Sequence, residues 1–93
     1  MQTIKNVITP TPEDIIIDVR HPDDAEQSPL IWPGNPIILV PFFSLNKFSD
    51  KLDKRQSYLL YCDKGIMSRL HADALSQQGF LRLGIFTPLK STA

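Results

Sequence analysis

The sequence predicts a small α/β fold: a mostly parallel, about five-stranded sheet flanked by helices. Continuous apolar, β-branched runs recur along the chain, of the kind that suits strands covered on both faces. Segments with helical spacing alternate with them after Pro41 and after Cys62, which favours right-handed crossovers between parallel strands. The 93 residues are 42% hydrophobic, enough for one core and not for two, so residues 1–93 are expected to form a single domain.

Ile4 to Ile8 is a short apolar-rich stretch with the character of an edge strand, broken by Thr9-Pro-Thr-Pro12. Asp14 to Arg20 (Asp-Ile-Ile-Ile-Asp-Val-Arg) is a buried strand with two charges at its end. His21 to Pro36 is proline-rich and has little periodicity, so it reads as a long connection. Leu30, Ile31 and Trp32 are expected to tuck back onto the core from it, and His21 to be a turn residue without a chemical role. Ile37 to Val40 is the third strand, ended by Pro41. Phe42, Phe43, Leu45, Phe48 and Leu52 follow at irregular helical spacing, as in a short helix or helical turns against the sheet. Lys47, Lys51, Lys54 and Arg55 give this region a basic edge, read as a solvated face offset by Asp50 and Asp53.

Tyr58 to Tyr61 forms the fourth strand. A short loop opened by Cys62 leads into a helix in which Leu70, Ala74 and Leu75 share a stripe, with Met67 and Gln78 at its ends. Ser68 is the expected N-cap and Gly79 the expected C-terminal stop. Leu83 to Phe86 is the last strand, stopped by Thr87-Pro88.

Composition excludes several function classes. Acidic and basic residues balance at ten each, so the chain lacks the positive field needed to grip nucleic acid alone. No apolar run reaches the ~20 residues that span a membrane, and Met1-Gln-Thr-Ile-Lys does not open a secretory signal. One cysteine excludes an internal disulfide framework, and two histidines make a zinc site of Cys and His a poor expectation. No metal or cofactor is expected. A lone thiol is easiest to keep reduced in the cytoplasm.

Cys62 stands where a strand ends and the next helix turns its free N–H groups toward it, an anion-binding geometry that lowers a thiol pKa. Phosphate-ester hydrolysis by cysteine needs an arginine where Ser68 stands, and Arg69 comes one place late. Dithiol redox chemistry needs a resolving cysteine, and the chain holds no second one. Sulfane-sulfur transfer needs one thiolate and a tight cradle of amides for a small persulfide anion. Asp63, Lys64, Gly65, Ile66, Met67 and Ser68 would form that cradle, Gly65 letting it close, Lys64 and Arg69 adding positive charge and Ser68 a hydroxyl donor. Open α/β sheets bind ligands outside the carboxyl ends of their strands, so Asp18 and Arg20 fall near Cys62 if their strands are neighbours. An ion pair that stitches loops together is the expected use of those two.

At these residues the chain resembles the rhodanese family. The resemblance rests on Ile15 to Arg20 with its Asp-Val-Arg end, Cys62 to Met67, and the helix ending Gln78-Gly-Phe80, and it covers nearly the whole chain. Within the family, Leu60-Tyr-Cys-Asp-Lys-Gly-Ile-Met-Ser-Arg-Leu70 and Val40-Pro-Phe-Phe-Ser-Leu45 are similar to the C-terminal rhodanese domains of bacterial tRNA 4-thiouridine synthases. Ordinary thiosulfate sulfurtransferases tend to have arginine where Met67 stands, and their Gly-His-Ile…Gly-Ala segment is absent from residues 21–40. The resemblance implies a rhodanese fold and Cys62 as a persulfide carrier. It implies a cysteine desulfurase as sulfur donor, and a tRNA-binding, adenylating domain or protein on the acceptor side. Thiamine thiazole synthesis is the other implied destination. Asp18 and Arg20 would then shape the loop rather than react. A generic thiosulfate sulfurtransferase and a non-catalytic interaction module on the same fold are the alternatives.

Overall fold

A computed structural model describes residues 4–62 and 66–88. Five strands form one sheet: β1 (Lys5–Val7), β2 (Ile15–Asp18), β3 (Ile37–Leu39), β4 (Ser57–Tyr61) and β5 (Arg82–Phe86), in spatial order β1-β5-β4-β2-β3. Every adjacent pair is parallel, so the expected α/β architecture is the observed one. β4 is central: Ile15 to Asp18 align with Tyr58 to Tyr61 on one side, and Arg82 to Ile85 with Ser57 to Leu60 on the other.

Period-2 alternation sends side chains to two faces. On one face Ile17, Tyr58, Leu60, Leu83 and Ile85 join Val19, Val40 and Leu45. This cluster is covered by α3 (Ile66–Gln77), through Ala72 and Leu75, by α2 (Leu45–Ser49), through Leu45 and Phe48, and by Leu52 just beyond α2. On the other face Ile16, Leu59 and Phe86 meet Val7, Leu30, Trp32, Ile37 and Tyr61. Gly84 falls on that second face, where a Cβ would stand 2.8 Å from Leu59 Cδ2 and 3.2 Å from the Lys5 carbonyl.

Three expectations need correction. The connection from His21 to Pro36 contains a short helix, α1 (Pro22–Gln27): the His21 side chain accepts the Asp23 N–H, Pro22 sits in the first turn, and Asp23 and Asp24 face the helix's positive end. His21 is thus a cap. Leu30 and Trp32 do pack on the core, Trp32 edge-on to Phe86, but Ile31 is 79% exposed. Finally, the buried stripe of α3 is Ser68, Ala72 and Leu75, with Leu70 62% exposed and Ala74 at the surface. Small side chains at Ser68 and Ala72 let the helix lie close to the sheet, and that outweighs the hydropathy of Leu70.

α3 ends as expected at Gly79, whose φ of 100° is cheap only for glycine. The Gly79 N–H reaches Ser76 O at 3.2 Å and the Phe80 N–H reaches Leu75 O at 3.3 Å, the paired bonds of a Schellman cap. No helix among the described residues is long and apolar enough to cross a membrane.

Candidate functional site

Cys62 follows directly on Tyr61, the last residue of the central strand, at the carboxyl end of the sheet. Its side chain is partly buried against the larger core cluster. The Ser68 N–H donates to Cys62 Sγ at 3.3 Å. Ser68 is therefore a first-turn residue of α3 and not its N-cap, because the helix already runs from Ile66. First-turn amides have no intrahelical acceptor, and here one of them finds the sulfur. The thiol thus meets the positive end of a three-turn helix, where negative charge is stabilised. Ser68 itself is fully buried, and its Oγ has no hydrogen-bond partner among the described residues.

Asp18 and Arg20 are brought to the same end of the sheet. Asp18 is in register with Tyr61, and the Val19 N–H donates to Tyr61 O at 3.0 Å. The two side chains are only 3% and 5% exposed and pair at 2.8 Å. The Asp18 carboxylate accepts the Arg20 backbone N–H, Nε and Nη2, while Nη1 donates to Ser28 O at 2.9 Å. The guanidinium also lies 4.9 Å from the centroid of the Tyr61 ring. The pair therefore ties the end of β2 to the residue capping α1 and to the residue before Cys62.

The remaining site candidates are spread more widely. Ile66 opens α3, and Met67 beside it is partly exposed. Arg69 is exposed and donates from Nη2 to Asn6 Oδ1 on edge strand β1 at 3.3 Å. Asp63, Lys64 and Gly65 lie outside the described residues. In the basic region, Arg55 pairs with Asp53 at 3.5 Å with both side chains exposed. The backbone N–H of Arg55 also bonds the Asp53 carboxylate and is the main cause of its lowered pKa.

Sequence reasoning passed over His71. It follows Ser68 by one turn of α3, half-buried, and its ring stacks on Phe42 with centroids 6.4 Å apart and planes at 28°. Its Nε2 is buried without a partner among the described residues, and burial lowers its pKa from the usual 6.5. The signal was the i, i+3, i+4, i+7 spacing of Ser68, His71, Ala72 and Leu75.

No protein-family model matches the chain. Curated proteins do: the tRNA sulfurtransferases of Marinobacter nauticus (40% identical over 87 residues), Pseudomonas putida (42% over 85) and Pseudomonas syringae pv. tomato (49% over 74). The alignments take in 94%, 91% and 80% of this chain. The chain is homologous to one segment of the tRNA sulfurtransferases. It spans only 18%, 18% and 15% of the length of those three relatives. A solved structure of a Staphylococcus saprophyticus protein superposes with a TM-score of 0.66 over 80% of this chain and 70% of that one. At 22% identity it supports the fold alone. With these relatives and this sheet, the rhodanese-like reading of the fold stands.

Proposed function

We propose that this tRNA sulfurtransferase homologue is a sulfur-carrying module that holds sulfane sulfur as a persulfide on Cys62. The observation that carries the reading is the 3.3 Å contact from the Ser68 amide to Cys62 Sγ, at the carboxyl end of the central strand. A thiolate there is stabilised by the positive end of a helix.

The donor is a cysteine desulfurase carrying an enzyme-bound persulfide. The Cys62 thiolate attacks the outer sulfur of that persulfide. A new S–S bond forms at Cys62 while the donor's S–S bond breaks, and the electron pair leaves on the donor cysteine as thiolate. Asp63 to Ser68 supply the amide cradle for the resulting anion, with Lys64 and Arg69 adding positive charge. Asp18 and Arg20 hold the strand end that presents Cys62 and take no part in the exchange. The acceptor side is a separate tRNA-binding, adenylating domain or protein, with thiamine thiazole synthesis a further destination. The balanced charge of this chain supports a carrier that does not bind tRNA alone. The cytoplasm is the compartment where such a thiol stays reduced.

The test is transfer of radiolabelled sulfur from cysteine through a desulfurase to the protein. Label should appear on the wild type and vanish in Cys62→Ser, while the variant keeps its fold. Label retained by Cys62→Ser would end the proposal. The exposed Phe43 and Leu70 favour a second reading, a non-catalytic docking module, which expects no label on the wild type.

A further inference from the structure

Two polar atoms of α3 are buried without a hydrogen-bond partner among the described residues: Ser68 Oγ and His71 Nε2. They stand one turn apart on α3, Ser68 on the face that carries Ala72 and Leu75 to the core and His71 half-buried beside it. Buried hydroxyls and ring nitrogens normally find partners, because desolvation without a new bond is a net cost. Two such atoms one turn apart on one helix mark a place where a polar group binds.

The neighbourhood says which group. Ser68 already gives its backbone N–H to Cys62 Sγ. Helical side chains lean toward the helix N-terminus, so the His71 ring lies over the turn that begins near Ser68. Phe42 stacks on that ring. The Phe42 N–H is bonded to Val19 O, and the Val19 N–H to Tyr61 O, so the aromatic wall is tied by backbone to the residue preceding Cys62. Burial disfavours the imidazolium, and a neutral ring offers one N–H donor and one acceptor nitrogen. When Cys62 gains a second sulfur, the negative charge moves from Sγ to the outer sulfur. It then needs donors that the resting thiolate does not use.

We propose that Ser68 Oγ–H and His71 Nε2–H donate to the outer sulfur of the Cys62 persulfide, holding it in place between loading and delivery. This rests on the persulfide reading of Cys62. Neutral donors fit the task, since they stabilise the anion without adding a further ion pair that delivery would have to break. Delivery then breaks the bond between Sγ and the outer sulfur, the outer sulfur bonds to the acceptor's nucleophile, and the electron pair returns to Cys62 as thiolate.

The experiment equilibrates the full chain with a buffer of glutathione and glutathione persulfide and reads the loaded fraction by intact mass. His71→Phe keeps the ring and removes the nitrogens; His71→Gln keeps an N–H donor; Ser68→Ala removes only a hydroxyl. Loading should weaken about tenfold in His71→Phe and in Ser68→Ala, the worth of one hydrogen bond to a charged acceptor, and should recover in His71→Gln to within about threefold of wild type. The alkylation rate of the unloaded Cys62 thiol should stay within about twofold of wild type in both His71 variants, since His71 serves the outer sulfur and not Sγ. Unchanged loading in His71→Phe and Ser68→Ala would overturn the proposal. So would alkylation that falls in parallel with loading, which would mean a merely structural role. A wild type that does not load would overturn the persulfide reading itself and this inference with it. If His71→Phe fails to fold, Ser68→Ala decides.

Discussion

The backbone amide of Ser68 meets the sulfur of Cys62 at 3.3 Å, joining the first turn of α3 to the residue that follows the central strand. The bond uses an amide that the helix itself cannot satisfy, so the site is a by-product of how a parallel strand hands over to its crossover helix. Replacing Cys62 by serine changes little volume at a partly buried position. Cys62→Ser should therefore melt within about 1 kcal/mol of wild type while losing sulfur loading altogether. Thermal unfolding alongside the radiolabel assay checks both halves.

Asp18 and Arg20 make a different kind of prediction. Their pair is nearly inaccessible, and the Arg20 backbone N–H, Nε and Nη2 all donate to the Asp18 carboxylate. Asp18→Asn leaves the guanidinium buried without its counter-charge and should cost about 3–5 kcal/mol in urea unfolding. A loss under about 1 kcal/mol would mean that the site end of β2 is held by its backbone bonds alone.

Much of this was legible in the sequence, and the reasons are physical. Strands β2, β4 and β5 are buried on both faces, so their apolar runs are unbroken and announce themselves. Gly79 and Cys62 were legible because each sits at a junction that only a few residue types serve. The orientation of α3 was not legible: Leu70 is more hydrophobic than Ser68, yet Ser68 is the buried one, because close packing on the sheet rewards small size. His71 was missed with it. Helix α1 hid behind prolines, although Pro22 is where a helix tolerates one and Asp23 and Asp24 are good first-turn residues.

Gly84 is fixed by space rather than by backbone conformation. A methyl there meets Leu59 Cδ2 at 2.8 Å and, on the other side, the carbonyl of Lys5 in a paired strand. Gly84→Ala should destabilise the protein by about 1–3 kcal/mol in urea unfolding, through overpacking between β4, β5 and β1. A neutral outcome would show that Leu59 can rotate away.

The lowered pKa of His71, caused by burial, gives a pH dependence with a definite sign. The unfolded chain takes up a proton on this ring near its ordinary value, before the folded one does. The stability contributed by neutral His71 is therefore complete above about pH 6.5 and is lost as pH falls through the folded-state pKa. Urea midpoints of wild type and His71→Gln, compared between about pH 7.5 and pH 5, should converge as the pH drops. Parallel lines would contradict the assignment.

Sulfur carried on Cys62 is read without a label by intact mass. The protein is incubated with a cysteine desulfurase and cysteine, or with thiosulfate. A gain of about 32 Da from the desulfurase is expected, reversed by reductant and absent in Cys62→Ser. A gain from the desulfurase and not from thiosulfate would favour tRNA and thiamine sulfur delivery over a generic thiosulfate sulfurtransferase. No gain from either donor would mean that Cys62 carries no sulfur and would leave the fold to a docking role.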